Sequence, residues 1–464
     1  MIEFLKMCAY EEKEIDSERP RVQKAFDRLG ITSEDIGNAM ERLAMYYDME
    51  LLGVRKIFGI YLRDLVNVVL IKDEGRKKII HTCMAPGSEI LGSAIMSYSD
   101  DIGLINPNFT FMVIMGCVFG KFVPILQAAE KQWLRRGIVS HCGMVKTRLG
   151  ILSLNLIPRP DLTVTTGFTC ETSPKTNELI QELYGIPAYY IDTCQDREAG
   201  EYPAAGRATD LAAKSMRKLG RSIMEQTGFE ITDDMLWETL DKRSLFGQAM
   251  DKVIGLIRKS DPLPFKSTHL NILNVLPAIP FKKSELSDAV DALNILHSEL
   301  LERTRKGIGA TKKGAPRVMV VLPNHHSDPR LEYLANQTGI AIVASDFEFS
   351  SGQDTSGAGV RNPNDPYDVI VQHLHGSLAQ PLYGRISIII KACKELNING
   401  VLNHYHVGCR YVAGDAMTIK SAVMKGLGIP VLTLEWENFD PRVYNHEEYK
   451  SKLETFKLMM KAAN

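Results

Sequence analysis

Two distant stretches of this chain follow one order of residues, and that order restricts the fold more than any other feature. The first runs from the apolar Asp161-Leu162-Thr163-Val164-Thr165-Thr166 through Cys170, past Leu179 and Leu183, to Gly185-Ile186-Pro187 and Ala188-Tyr189-Tyr190-Ile191-Asp192. The second runs from Gly400-Val401-Leu402-Asn403 through Cys409, past Ile419 and Val423, to Gly428-Ile429-Pro430 and Val431-Leu432-Thr433-Leu434. Both read strand, cysteine, helix, Gly-Ile-Pro, strand. The glycine closes each helix, and the proline sits at a strand start, where a missing N–H is tolerated. Two related βαβ units explain the repeat; a generic βαβ rhythm produces the same order, so duplication stays open at this stage.

The rest of the chain completes an α/β reading. Its 464 residues exceed one simple core. The first segment is helical by pattern, with a Thr32-to-Asp35 capping box ahead of an amphipathic run through Met40, Leu43, Ala44 and Tyr47. From Ile79, short β runs alternate with helices. Helical patterns return over 209–227, 233–260 and 284–305, before the buried-type strand Arg317-Val318-Met319-Val320-Val321-Leu322. The pattern predicts two Rossmann/flavodoxin-like parallel-sheet domains. An N-terminal helical segment covers 1–78, the first α/β domain 79–205, bridging helices 206–310, and the second α/β domain 311–464.

Charge and hydropathy exclude several classes. Lys plus Arg is 55 and Asp plus Glu is 56, and no basic stripe carries interleaved aromatics, which argues against nucleic acid. The longest apolar stretch, Phe109 to Gly120, is shorter than the about 20 residues a bilayer span needs, so it is expected as buried core and no membrane partner is expected. The start, Met1-Ile2-Glu3-Phe4-Leu5-Lys6, shows no signal-peptide core, so the expected location is cytoplasmic. Cysteines there are free, metal-bound or catalytic rather than paired in disulfides.

Three of the eight cysteines follow apolar, strand-like runs, each with histidine close upstream: His81 before Cys83, His141 before Cys142, and His404 and His406 before Cys409. Ligands of α/β proteins bind beyond the carboxyl ends of parallel strands, so this is where chemistry is expected. Three thiolates from separate strand ends can hold a metal cluster with one position free. For any single cysteine, a buried small hydrophobe remains the default; Cys117 and Cys393 fit that reading well. There is no C-x-x-C, and no intact Walker A loop: Gly116 to Phe122 and the Gly-rich 307–314 segment both miss its spacing. Gly352 to Gly359 offers backbone amides to a phosphate or thioester, though a surface loop is the default. His325-His326 is read first as a structural pair.

A further set of pieces carries a resemblance. These are Cys83-Met84-Ala85-Pro86-Gly87-Ser88-Glu89, Cys142 ahead of Pro158-Arg159-Pro160-Asp161, and Thr169-Cys170-Glu171 with Lys175. Gly408-Cys409-Arg410 and Gly428-Ile429-Pro430 leading to Glu435-Trp436-Glu437 and Asp440-Pro441-Arg442 complete the set. In this order, from about residue 75 onward, the chain resembles the 2-hydroxyacyl-CoA dehydratase and ATP-dependent benzoyl-CoA reductase family. The resemblance implies two α/β domains gripping one 4Fe-4S cluster, with Cys83, Cys142 and Cys409 as its matching ligands and Cys170 at a position that is not a ligand. It further implies an acyl-CoA substrate, a paralogous partner subunit, and a separate ATP-hydrolysing iron–sulfur activator fed by a ferredoxin-type donor. ATP is then not bound by this chain, in agreement with the missing Walker loop.

The resemblance leaves three roles open. One is the cluster-bearing subunit of a benzoyl-CoA-reductase-type enzyme working through a radical anion. The second is a subunit of an (R)-2-hydroxyacyl-CoA dehydratase working through a ketyl radical, and the third a non-catalytic partner that binds cluster or acyl-CoA. His81, His141, His404 and His406 are candidate proton donors, since imidazole titrates near neutral pH. Hydrogen bonding to cluster sulfurs or backbone is the equal alternative. Strand alternation puts His404 and His406 on one face, and His81 with Cys83.

Overall fold

The computed structural model describes residues 1–134, 141–167, 170–192, 205–321, 325–350, 364–375, 382–406 and 408–463. Among the described residues, eight strands form two sheets. The first holds β1 (Lys78–Thr82), β2 (Ile102–Ile105), β3 (Leu162–Thr166) and β4 (Ala188–Ile191) in the order β2-β1-β3-β4. The second holds β5 (Arg317–Val321), β6 (Ala341–Ser345), β7 (Gly400–His406) and β8 (Val431–Trp436) in the order β6-β5-β7-β8. Every pairing is parallel. The two orders are the same permutation, that of the first four strands of a flavodoxin-like sheet. The expected α/β architecture of two parallel-sheet domains is therefore present.

The strands form where apolar runs permit burial on both faces. Val318 to Val321 of β5 are all buried. Neighbouring strand residues point to opposite sides: Ile79 enters the larger core, shared with the second sheet and the N-terminal helices, whereas Ile80 enters a smaller core with Leu104, Leu162 and Val164. The polar positions of β3 are satisfied. The Thr165 hydroxyl lies 2.6 Å from that of Ser173, and Thr163 donates to the Pro187 carbonyl.

Helices fill the remaining layers. Thr32 caps Ser33–Tyr46 by the expected box, accepting from the Asp35 amide while the Asp35 carboxylate accepts from the Thr32 amide. Leu52–Leu70 is buried along most of its length and packs on Lys283–Lys306, which in turn packs on Asp233–Lys259. Gly53 permits that approach, since a Cβ there would lie 2.5 Å from Leu296 Cβ. The helices Thr172–Tyr184 and Arg410–Leu427 end at Gly185 (φ 67°) and Gly428 (φ 71°), the left-handed caps anticipated from the Gly-Ile-Pro repeat.

The apolar run is buried from Thr110 to Phe119, with a π-helical turn over Met112–Val118. Among the described residues no helix is long and apolar enough to cross a membrane. The Gly-rich segment after Lys306 is structural: Gly307 caps a helix, and the Gly314 amide donates to the Asp261 carboxylate. The Gly352–Gly359 loop, Cys194, and the run Ile138-Val139-Ser140 lie outside the described residues.

In both sheets the strand order reverses between the first and third strands, at β1/β3 and β5/β7, and the crevice beyond their carboxyl ends is where such folds bind ligands. Cys83 follows β1, Cys170 follows β3, His325 and His326 follow β5, and Cys409 follows β7. By topology Cys170 is the counterpart of Cys409.

Candidate functional site

The helix Gly143–Ser153 gathers the site. Cys142 is its N-cap, in extended conformation, and the Cys142 carbonyl accepts from the Lys146 amide. Groups from both sheets grip its first turn. Glu437, directly beyond β8, accepts the Gly143 amide through Oε2 at 2.8 Å. From the short helix Pro107–Phe111 that follows β2 of the first sheet, the Asn108 side-chain amide donates to Cys83 Sγ at 2.9 Å and to the Met144 carbonyl at 3.2 Å. Gly408, the residue before Cys409, lies against Cys142: a Cβ at 408 would sit 2.7 Å from Cys142 Cα and 2.9 Å from Glu437 Oε2. Cys409 is itself the N-cap of Arg410–Leu427, with its amide donating to the His406 carbonyl. Two of the three candidate thiols thus stand at helix N-termini, where the partial positive charge favours a thiolate.

Electrostatics link the sulfurs. Burial raises the Cys142 thiol well above its ordinary value, and Glu437, Cys170 and Cys409 push the same way. Burial pushes the Cys83 thiol up to about 11, against the Arg148 guanidinium, with Cys170 adding to the rise. Cys170 is therefore the neighbour common to Cys83 and Cys142. Its Sγ accepts from the Ser173 amide at 3.3 Å, and the Ser173 hydroxyl is 3.5 Å from the Cys83 carbonyl. Buried thiols with raised pKa values ionise when a metal cation displaces their protons. Among the described residues no three His, Cys, Asp or Glu side chains come together as they would around a single metal ion.

The candidate histidines divide. His81 is buried, its Nε2 3.4 Å from Asn108 Oδ1, and burial lowers it to about 3. His404 and His406 face inward while Tyr405 between them is exposed, as alternation requires. Burial holds His404 well below its ordinary value and His406 at about 4. All three are neutral imidazoles at neutral pH. Among the described residues neither ring nitrogen of His404 has a hydrogen-bond partner, whereas the His406 ring interacts with the Trp436 backbone and its Nε2 lies 3.7 Å from Glu437 Oε1. His141 is partly exposed and packs on Trp133 with ring centroids 4.6 Å apart.

His325 and His326 line the same region. The His325 ring is 4.9 Å from that of His404, and its Nδ1 is 2.9 Å from Glu332 Oε1. His326 Nδ1 is 2.8 Å from the Asn271 carbonyl, so each ring of the pair has a structural partner at Nδ1, while among the described residues neither Nε2 has a hydrogen-bond partner.

Sequence reasoning missed Asn108, Arg148 and Glu437 as site residues. Asn108 and Arg148 leave no local signal, since nothing in their neighbours marks them. Glu437 had none either: alternation from the exposed Glu435 would turn it outward, but it lies beyond the end of β8 and is buried, and that burial pushes its carboxyl up to about 7.

Comparison with known proteins shows the family. The family model described as 2-hydroxyglutaryl-CoA dehydratase, D-component, matches residues 107–460. A benzoyl-CoA reductase subunit from Thauera aromatica is 23% identical over 333 residues, covering 68% of this chain and 75% of that protein. The alpha subunit of (R)-2-hydroxyglutaryl-CoA dehydratase from Acidaminococcus fermentans is 22% identical over 308 residues, covering 64% of this chain and 60% of that protein. With well over half its length matched, and both sheets within reach of one helix N-terminus, the chain belongs to the 2-hydroxyglutaryl-CoA dehydratase D-component family.

Proposed function

We propose that this chain is the 4Fe-4S-binding catalytic subunit of a benzoyl-CoA-reductase-type enzyme, with Cys83, Cys142 and Cys409 as cluster ligands. The observation that carries this reading is the seating of Gly408 on Cys142, which brings two helix-capping cysteines from different parts of the chain to one locus. The donor set fits: three thiols on separate elements are the ligands of a thiolate-bound iron–sulfur centre. When bound, such a cluster supplies one-electron transfer to an acyl-CoA thioester.

The protein's own groups have separate tasks. Burial of Cys83 and Cys142 keeps water from the sulfurs. Neutral His404 and His406 offer N–H donors to a substrate or sulfur rather than a charged acid. Glu437, whose carboxyl burial pushes up to about 7, is placed to take up or release a proton beside Cys142. The two relatives are named as subunits, which supports a paralogous partner, and the division of labour leaves ATP hydrolysis to a separate activator with a ferredoxin-type donor.

Anaerobically purified protein is expected to contain iron and sulfide and to show broad thiolate-to-iron absorbance that Cys409→Ala abolishes. Unchanged iron in that variant overturns the reading. The dehydratase named among the relatives supplies the second reading. Turnover of benzoyl-CoA against a 2-hydroxyacyl-CoA, with activator and reductant, separates the two.

A further inference from the structure

Arg148 is completely buried in the helix that Cys142 caps. Among the described residues its Nε and Nη2 have no hydrogen-bond partner, and Nη1 reaches only the Ser173 hydroxyl at 3.5 Å. That same serine donates its amide to Cys170 Sγ and lies against the Cys83 carbonyl, so the guanidinium looks onto the floor between these two cysteines. The ionisable groups facing it among the described residues are the His81 imidazole, the Cys83 and Cys170 thiols and the Tyr190 phenol; no carboxylate is among them. A guanidinium taken out of water without an anion or a full set of acceptors is strongly unfavourable. Thiols and phenols are neutral when protonated and do not offset it. A fixed, permanently charged fork in that position is therefore matched to something anionic that the described residues do not supply.

We propose that Arg148 is the positioning counter-charge for the anionic group held at Cys83, which under the function proposed above, on which this inference rests, is the thiolate-ligated iron–sulfur cluster. The guanidinium balances cluster charge through space and needs no bond to iron. It favours retention of the cluster and makes the added electron easier to accept, because net charge and hydrogen bonds to sulfur set cluster potentials. Outer partners of this kind typically change metal affinity by about 10- to 100-fold when removed.

The test compares wild type, Arg148→Lys and Arg148→Met, each purified anaerobically and reconstituted with iron and sulfide. Three readouts are iron retained after chelator challenge, the cluster midpoint potential by redox titration, and the melting temperature of the iron-free protein. Arg148→Met should lose iron about 10- to 100-fold faster, shift the potential to more negative values, and raise the melting temperature of the iron-free chain, since a buried unpaired charge is gone. Arg148→Lys should keep the wild-type potential. An iron-loaded Arg148→Met with wild-type retention and potential overturns the counter-charge while leaving the cluster reading intact. A fall in the iron-free melting temperature without a potential shift also overturns it, as that marks a purely structural residue. Wild-type protein that takes up no iron overturns the cluster reading and this inference together.

Discussion

Gly408 rests on Cys142 so closely that a Cβ would fall 2.7 Å from its Cα and 2.8 Å from its Cβ. The contact joins the loop after β7 to the N-terminus of the helix Gly143–Ser153, and the groups it meets are the Cys142 backbone and Cβ and the Glu437 carboxylate, which the Gly143 amide holds in place. Alanine at 408 is therefore expected to cost about 1–3 kcal/mol through overpacking. Denaturant unfolding of Gly408→Ala measures this, and iron content should fall with it; a variant as stable as wild type shows the approach is not needed.

Cys170 shares surroundings with Cys83 and Cys142, yet it has partners of its own in Ser173 and Thr172. Cys170→Ser is expected to keep wild-type iron after anaerobic reconstitution, whereas Cys83→Ser, Cys142→Ser and Cys409→Ser each lose it. Iron lost equally in all four variants makes Cys170 a ligand.

Asn108 is fully buried and serves Cys83, Met144 and His81 at once. Asn108→Ala leaves those groups unpaired, at a cost of about 1–3 kcal/mol. Equilibrium unfolding in urea reads the loss, and a change under half of that range says that water replaces the amide.

Burial pushes the Glu332 carboxyl up to about 7, beside a His325 held at about 3. Between the ordinary carboxyl value and 7 the folded protein binds the extra proton, so this group's contribution to stability falls as pH rises through that window. Glu332→Gln accepts from the His325 amide without titrating. The stability of wild type relative to Glu332→Gln should thus drop by on the order of 3 kcal/mol between about pH 4.5 and about pH 8. Parallel stability–pH curves refute it.

Much of the scaffold was legible in local pattern. The Gly-Ile-Pro repeat marks two βαβ units because a left-handed glycine cap and a proline at a strand start are local backbone requirements, and both sheets carry the same strand order. The Thr32 capping box and the inward pairing of His404 with His406 follow from helix and strand periodicity alone. Topology then sets Cys83 and Cys409 at strand ends, which apolar runs already reveal.

Which groups meet at those ends is not a local property. Asn108 reaches Cys83, Arg148 looks toward Cys83 and Cys170, and Glu437 reaches the Gly143 amide across 294 positions of chain. No spacing encodes these encounters. The chain by itself determined the strands, their caps and the residue types at their ends, since backbone geometry and alternation act over a few residues. Only the tertiary structure decided that the two sheets share one helix terminus, because that depends on side-chain volumes packing across the whole core and on a glycine small enough at 408 to let Cys142 in.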